Sequence, residues 1–339
     1  MNETLHRALD LAFSKREKLI AILHGEGTDA YRLFHGVNEG HPGITVDRYG
    51  ELILSQAFYT PFSSVEQACI REAVAARFPA PLHFVFHDRS RKGPVHRSSD
   101  PLESATEEDL KPRTFQELGM TYTMRGRHPG QDPLLFLDLR AGRRYVLGNS
   151  KGLSVLNLFA YTCGVGVCAA AAGAKEVWNV DFAASSLDFG KENAKLNRLC
   201  LDNLHFIHED VIPVIRQMAG LAVKGRGSRN RLFKKFEPRS YDLVFLDPPR
   251  WAKTPFGAID LVRDYPSLFK PALLATREGG RLFCTNHEPA VKLEDWLDIL
   301  RRCAVKVGRS LSAIEVVTPE GDFPSPDGRH PLKMALVKA

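Results

Sequence analysis

The sequence predicts an α/β protein of two domains, a small N-terminal α+β domain and a larger Rossmann-like domain built on a parallel sheet. A chain of 339 residues with 44% hydrophobic content can form two cores. After about residue 115, apolar strand-like runs alternate with helical spacing, as a parallel sheet requires. Residues 90–112 are charged and contain Ser and Pro, so we predict a linker there. The predicted domains are residues 1–115, including this linker, and 116–339.

The N-terminal domain is predicted from short local patterns. Helical spacing extends to about residue 25, and β-forming runs at Ile44–Tyr49 and Leu52–Phe58 flank a Gly-containing turn, which indicates a hairpin. Helical spacing returns at Ser64–Phe78, and Leu82–His87 has the composition of a strand.

The larger domain is predicted to contain seven strands with helices between most of them. The predicted strands are Val155–Phe159, Glu176–Asp181, His205–His208, Leu243–Asp247, Arg281–Thr285, Ile314–Thr318 and Lys333–Val337.

Composition restricts the location and the partners of the chain. The formal net charge of +6 is compatible with a polyanionic partner but does not require one. Six scattered cysteines without a C-x-x-C pair favour reduced thiols over a disulfide or zinc framework, so we expect no metal. The sequence contains neither an export signal nor a long apolar run, which favours a cytoplasmic protein. The basic segment Val223–Ser240 is either a solvated loop or a phosphate-contacting arm.

An unusual turn follows the predicted fourth strand. The strand ends on Asp247, and Pro248 and Pro249 then force the chain to leave the sheet, because proline cannot donate to a strand ladder. Arg250 and Trp251 come next. The carboxylate and the proline-flanked carbonyls are acceptors suited to an amine or ring N–H, and Trp251 could stack on a base. A simple strand-terminating turn is the alternative.

A second polar group is predicted at the same sheet edge. The first strand runs through Phe159 to Tyr161, and the glycine turn at Gly164 follows it, where a ligand can approach the backbone. Asp181 ends the next strand and suits the two hydroxyls of a ribose, while Asp210 ends the third strand and could contact an adenine. These residues predict an adenosine-containing cofactor.

The glycine turn has two other interpretations. Gly164 to Ala169 formally matches the G-x-G-x-x-G/A pattern of dinucleotide-binding dehydrogenases, although such an enzyme gives no reason for Asp-Pro-Pro after the fourth strand. Alternatively, Gly164 and Gly166 only allow a helix to pack closely on a strand.

Six segments, in order along the chain, resemble the bacterial 23S ribosomal RNA large-subunit methyltransferases of the cytosine-C5 family. They are Tyr31–Gly36 with Gly43–Gly50, Phe136–Arg140, Leu156–Thr162, Asp247–Trp251 and Phe283–Thr285. The resemblance implies a seven-stranded class I methyltransferase domain that uses S-adenosylmethionine, preceded by a small α+β domain that binds RNA. It also implies that Asp138 and Arg140 line the methionine end of the cofactor.

The chain departs from the family in three places. The family commonly begins with a PUA domain, for which this chain has no room before Tyr31. Cys163 replaces the first glycine of the Tyr-Thr-Gly-Gly turn. Where some members have Ser-Cys-Ser after the fifth strand, this chain has Cys284 followed by Thr and Asn, and a Ser-Asn pair is typical of related guanine-N7 enzymes.

Cys284 carries the prediction of the methylated atom. Carbon 5 of cytosine needs thiolate addition at carbon 6 before it can attack a methyl sulfonium, whereas a ring nitrogen needs only positioning. We therefore predict an RNA methyltransferase with Cys284 and Asp247 as catalytic residues, and a core position for Cys284 is the alternative.

Two other functions remain open at this stage, besides the dehydrogenase. One is a guanine-N7 or amino-group RNA methyltransferase that needs no cysteine. The other is a nucleic-acid-binding module whose methyltransferase fold is inactive. The sequence also leaves a homodimer open.

Overall fold

A computed structural model describes residues 3–90, 105–126, 132–223 and 233–339. The chain forms two compact units. The N-terminal unit contains Met1–Asp138 and, from the other end of the chain, Glu320–Arg329, while the second contains Leu139–Pro319 and His330–Ala339. The sequence placed the domain boundary near residue 115, whereas these compact units divide at Asp138. The backbone N–H of Gln116 donates to Asp29 of the N-terminal unit over 2.7 Å, so the chain beyond residue 115 still packs there.

The N-terminal unit contains a four-stranded sheet in the order β1-β2-β3-β4, with β3 and β4 parallel and the other pairs antiparallel. Helices α1 and α2 supply apolar side chains to its core. Its elements are α1 (Glu3–Gly25), β1 (Ala30–His35), β2 (Ile44–Tyr49), β3 (Leu52–Ala57), α2 (Ser64–Ala75), β4 (His83–Asp88), α3 (Glu107–Leu110), β5 (Arg113–Glu117) and β6 (Met120–Met124).

The predicted hairpin and helices of this unit are present, but strand β1 and the hairpin β5–β6 were not predicted. Strand β1 carries Arg32 in its centre, which is unusual for a buried strand. Its guanidinium forms a bidentate ion pair with Asp47 on β2, over 2.8 and 2.9 Å. This pairing compensates the burial of the charge, and a single strand pattern does not reveal it.

The second unit alternates strands and helices as predicted. Its elements are α4 (Arg140–Asn149), β7 (Ser154–Leu158), α5 (Gly164–Ala171), β8 (Glu176–Asp181), α6 (Ala184–Leu196), β9 (Leu204–His208), α7 (Val211–Met218), β10 (Tyr241–Leu246), β11 (Trp251–Thr254), β12 (Gly257–Asp260), α8 (Tyr265–Ala275), β13 (Thr276–Asn286), α9 (Leu293–Lys306), β14 (Ala313–Val317) and β15 (Lys333–Lys338).

Within the described residues, the sheet of this unit has seven strands in the order β14-β15-β13-β10-β7-β8-β9. The five strands from β13 to β9 are parallel, and β15 is antiparallel to both of its neighbours. The predicted fold class is confirmed. The strand order reverses between β7 and β10, and open α/β sheets bind ligands at the carboxyl ends of the strands at such a point.

The two faces of the sheet have different contents. Leu246 of β10 and its neighbour Cys284 of β13 belong to the core cluster that includes residues of α7, α8 and α9. Phe245 and Phe283 stack on the other face, with ring centroids 4.8 Å apart. Helix α4 packs closely there, because a Cβ at Gly142 would lie 3.1 Å from the Phe245 ring. Successive side chains of a strand point to opposite faces, and this alternation decides which side chains can meet at the strand ends.

Two kinds of feature are absent from the described ranges. None of the helices in them has the length and apolarity of a membrane span. In the same ranges, no group of three or more His, Cys, Asp or Glu side chains could hold a metal ion.

Candidate active site

The turn after β7 has a strained backbone. Phe159, Tyr161 and Cys163 have φ angles of 58°, 48° and 60°, a left-handed conformation that side chains other than glycine rarely adopt. Each such residue costs about 1–3 kcal/mol and persists only where its surroundings hold it. Here the backbone N–H of Ala160 donates to the carbonyl of Val180 on β8 over 3.0 Å. The turn is therefore tied to the neighbouring strand.

Asp181, at the end of β8, holds the same turn. Its Oδ2 accepts the backbone N–H of Tyr161 and its Oδ1 accepts that of Ala183, each over 2.8 Å. The side chain is buried, and this burial raises the pKa of Asp181. A carboxylate oxygen can accept two hydrogen bonds, so both oxygens can still accept a ligand hydroxyl.

Asp210 is the N-cap of α7 and has spare acceptor capacity. Its Oδ1 accepts the backbone N–H of Ile212 over 2.9 Å. Its Oδ2 is buried and makes no hydrogen bond of good geometry within the described ranges. Burial raises the pKa of Asp210, and the Thr254 hydroxyl helps to lower it. A buried acceptor of this kind suits an amine donor from a ligand.

The two glycines of the turn differ in function. Gly164 is buried at the first position of α5, next to the strained turn. Gly166 is required for packing, because a Cβ there would lie 2.0 Å from Oδ1 of Asn179. That amide oxygen also accepts a hydrogen bond from Asn157 on β7 over 2.9 Å. The packing interpretation therefore holds for Gly166.

The structure does not test whether Asp138 and Arg140 line the methionine end of the cofactor. Asp138 is the last residue of the first segment of the N-terminal unit. Arg140 is the first residue of α4 in the second unit and is fully buried. Their joint contact with the methionine end of a cofactor stays a prediction.

The turn at Asp247 lies at the carboxyl end of β10, as predicted. Asp247 is partly buried, and the hydroxyl of Thr285 donates to its Oδ1. Burial raises the pKa of Asp247, while His287, Thr285 and Arg143 lower it. Pro248 is buried and Pro249 partly so. An acidic acceptor thus sits beside two proline-fixed backbone positions.

The residues after the prolines face solvent. Arg250 pairs with Glu288, its Nε lying 3.0 Å from Oε2. Trp251 begins the hairpin β11–β12, and 66% of its surface is exposed. An exposed indole beside an acidic turn can offer a flat ligand a stacking surface.

The side chain of Cys284 is not among those that surround Asp247. Its side chain is fully buried in the core cluster, and Sγ donates to the carbonyl of Ala335 over 3.6 Å. Burial raises the pKa of Cys284 to about 12, which strongly disfavours the thiolate at neutral pH. Thr285 faces Asp247, and successive side chains of a strand point to opposite faces of the sheet. Cys284 therefore points to the opposite face of β13. The predicted nucleophilic role stays a prediction, and this position argues against it.

Sequence reasoning missed Thr285, Arg143 and Tyr265. Each of them forms a hydrogen bond or an electrostatic interaction with a residue at the carboxyl end of β10 or β13. The Tyr265 hydroxyl donates to the carbonyl of Thr285 over 2.9 Å, and Arg143 lowers the pKa of Asp247. Strand alternation could have found Thr285, since pairing Leu246 with Cys284 puts the next residue of each strand on the same face. Arg143 and Tyr265 lie on helices whose packing the sequence does not give.

The basic segment 223–240 is only partly covered, because residues 224–232 lie outside the described residues. In the described part, Arg239 forms an ion pair with Glu176. Its guanidinium also lies over the rings of Trp178 and Tyr241, 5.1 and 5.0 Å from their centroids. Arg239 therefore has local partners and is not a free phosphate contact.

Comparison with known proteins decides the class. A family model of S-adenosylmethionine-dependent methyltransferases matches residues 31–338. The chain belongs to this family. It is an enzyme that uses S-adenosylmethionine, as predicted, and the dehydrogenase and inactive-module alternatives are thereby set aside.

Curated relatives cover almost the whole chain. A ribosomal RNA large subunit methyltransferase I of Aeromonas hydrophila is 27% identical over 342 residues, covering 98% of this chain and 80% of that protein. The protein of the same name from Escherichia coli O1:K1 is 26% identical over 332 residues, covering 94% and 77%.

Solved structures agree on the fold. A SAM-dependent methyltransferase from Streptococcus mutans superimposes with a TM-score of 0.75 at 21% identity, covering 99% of this chain and 81% of that one. The structure of SMU.776 complexed with SAH gives 0.76 at 21% identity and the same coverage. A SAM-dependent methyltransferase from Agrobacterium tumefaciens gives 0.60 at 19% identity, covering 92% and 90%.

The residues present fit this cofactor. Asp210 Oδ2, which makes no hydrogen bond of good geometry within the described ranges, and the remaining lone pairs of Asp181 are acceptors, and an adenosine offers an amine and two ribose hydroxyls as donors.

Proposed function

We propose that this methyltransferase acts on RNA and methylates a base presented at the Asp247-Pro248-Pro249 turn. The observation that carries the proposal is the turn itself, in which a partly buried acceptor is followed within four residues by the exposed ring of Trp251. The names of the relatives, both ribosomal RNA methyltransferases, support an RNA substrate. The net charge of +6 is compatible with it.

In this proposal, each acid at the carboxyl edge of the sheet contacts a different part of the cofactor or the substrate. Asp181 accepts the ribose hydroxyls and Asp210 the adenine amine. The Phe159–Gly164 turn, including Tyr161, lets the cofactor approach the backbone. Asp138 and Arg140 contact its charged methionine end. When bound, S-adenosylmethionine supplies an electrophilic methyl group.

On the substrate side, Asp247 accepts a hydrogen bond from an N–H of the base. This contact orients the base and supports the positive charge that develops on a nitrogen as it takes the methyl group. Pro248 and Pro249 hold the backbone carbonyls in fixed positions. Trp251 stacks on the base, and Arg250 lies beside the path of the RNA backbone.

For the methylated atom, we propose a nitrogen, because Asp247 and Thr285 meet while Cys284 is buried on the other face. Such a transfer needs no covalent intermediate. Cytosine C5 is the second candidate, favoured by the cysteine at the end of β13 and by the resemblance to the cytosine-C5 family. It would require Cys284 to leave the core and lose its proton.

Two cysteine variants distinguish these candidates. Cys284→Ala is compared with Cys303→Ala, another buried cysteine of the same core cluster. RNA lacking the modification is incubated with isotope-labelled S-adenosylmethionine, and its nucleosides are analysed by mass spectrometry. We expect both variants to retain methylation of a nitrogen. Loss of methylation in Cys284→Ala alone, with cofactor binding unchanged, would establish the C5 route instead.

A further inference from the structure

The end of β13 is fixed on two sides at Thr285, which is fully buried. Its hydroxyl donates to Oδ1 of Asp247 on the neighbouring strand. Its backbone carbonyl accepts the hydroxyl of Tyr265, at the start of α8, over 2.9 Å. A side chain on a backbone that is fixed by the strand register and by a second hydrogen bond can hold its partner in one orientation.

We propose that Thr285 is a positioning residue for methyl transfer, holding Asp247 through Oδ1 so that Oδ2 points towards the substrate. This inference rests on the proposed function, in which Asp247 contacts the base. Thr285 itself does not touch the reacting atoms. Its effect is transmitted through the carboxylate, whose rotation about the terminal torsion is otherwise broad.

The hydrogen bond also favours the ionised form of Asp247. An ionised carboxylate only accepts hydrogen bonds, which matches the donor role of the Thr285 hydroxyl. Burial raises the pKa of Asp247, and three groups oppose it: His287 after β13, Thr285 on β13 and Arg143 on α4. The nearby Tyr265 stays neutral, because burial raises its pKa well above the usual value. Removing the hydroxyl therefore raises the pKa of Asp247.

The same strand supplies a matched control. Thr276, the first residue of β13, is also fully buried, and its hydroxyl donates to the carbonyl of Ala272 over 2.9 Å. It lies at the amino end of β13, whereas Thr285 lies near the carboxyl end. Thr276→Val and Thr285→Val thus remove the same atom from the same strand, and only the second touches Asp247.

The direct test is a titration of Asp247 in the full chain by carbon NMR of labelled aspartate carboxyls, with the signal assigned by Asp247→Asn. In Thr285→Val we expect the titration to move to higher pH, while Thr276→Val matches the wild type. Thr285→Ser, which keeps the hydroxyl, restores the wild-type curve. Equal titrations in Thr285→Val and the wild type would overturn the proposal.

The kinetic counterpart is the pH profile of kcat/KM for RNA methylation. In Thr285→Val we expect the acid limb to move to higher pH, with a rate loss on the acid side of about tenfold for each pH unit of that displacement. The loss should shrink at high pH and be repaired in Thr285→Ser. A loss independent of pH would contradict the proposal. If the wild type methylates no RNA, the proposed function fails, and the NMR titration still decides whether Thr285 holds Asp247 through its hydroxyl.

Discussion

The two ends of strand β10 carry one aspartate each, in opposite surroundings. Asp242, near its amino end, accepts the backbone N–H and the hydroxyl of Ser154, each over 2.7 Å, and forms ion pairs with Arg277 and Lys175. Burial would raise the pKa of Asp242, but these partners lower it. At the carboxyl end, the pKa of Asp247 stays raised by burial.

The contrast separates acids that stabilise the fold from acids that we propose bind ligands. An acid whose hydrogen bonds and ion pairs outweigh its burial stabilises the fold, and Asp242 is of this kind. Asp181, Asp210 and Asp247 at the carboxyl edge all have a raised pKa because burial dominates. Buried acceptors that folding does not fully compensate are typical of ligand sites. The following predictions test this division.

The largest expected effect is on catalysis, at the carboxyl end of the strand. Asp247→Asn replaces one acceptor oxygen with a donor while keeping the shape of the side chain. We expect kcat/KM for RNA methylation to fall about 100- to 1000-fold, the usual cost of losing a preorganised polar contact. Steady-state kinetics measure it, and a melting temperature within a few degrees of wild type serves as the control. A fall of less than threefold would contradict a catalytic role for Asp247.

The matching change at the amino end should affect stability instead. Asp242→Asn weakens charge-assisted hydrogen bonds to Ser154 and both ion pairs. We expect the free energy of unfolding to fall by about 1.5–3 kcal/mol, with kcat/KM unchanged within a factor of two. Urea denaturation followed by circular dichroism measures the first quantity. Loss of activity in the folded variant would show that the two ends are not separate.

Two glycine variants, one on α5 and one on α4, test the packing of the helices. Gly166→Ala would drive a Cβ into Asn179, and we expect a loss of about 1–3 kcal/mol in stability. Gly148→Ala, on α4, meets nothing within 4 Å and should instead stabilise by about 0.5–1 kcal/mol. Thermal denaturation of both variants is the measurement. The packing account fails if both variants are equally stable.

The smallest effect is the pH dependence of stability, which has opposite signs at the two ends. The lowered pKa of Asp242 gives stability that is present above its ordinary value and lost as the pH falls through the lowered one. The raised pKa of Asp247 reduces stability as the pH rises from its ordinary value through the raised one. Asp247→Asn should therefore be more stable than wild type at neutral pH, by about 1.4 kcal/mol for each tenfold change in proton affinity, and equal to it in acid. Denaturation curves across pH check this, and a constant difference would contradict it.

The sequence predicted the sheet of the second unit well, because its strands are apolar runs with local boundaries. Strand β8 was placed at Glu176–Asp181 as the structure has it. Strand β1 was not predicted, because its central cation, Arg32, is compensated by Asp47, a residue on another strand. The predicted domain boundary near residue 115 differs from the division of the compact units at Asp138, because Glu320–Arg329 and the chain beyond residue 115 join the N-terminal unit by tertiary contacts.

For the site, the sequence identified the strand-end acids but not their partners. Asp181 and Asp247 follow directly from strands that end on an acid. The face of β13 to which Cys284 points depends on the alternation of side chains along the strand. Its position in the sequence alone did not distinguish it from Thr285 as a candidate site residue. The contacts of Tyr265 and Arg143 depend on how helices pack on the sheet, which single-sequence patterns do not contain.

The most direct test of the account is transfer of a labelled methyl group. Undermethylated ribosomal RNA is incubated with deuterated S-adenosylmethionine and with wild type, Asp242→Asn or Asp247→Asn, and the nucleosides are analysed by mass spectrometry. We predict one labelled base from wild type and Asp242→Asn, with little or none from Asp247→Asn. A label absent from all three, or equally abundant in Asp247→Asn, would contradict the assignment of RNA base methylation to the carboxyl end of β10.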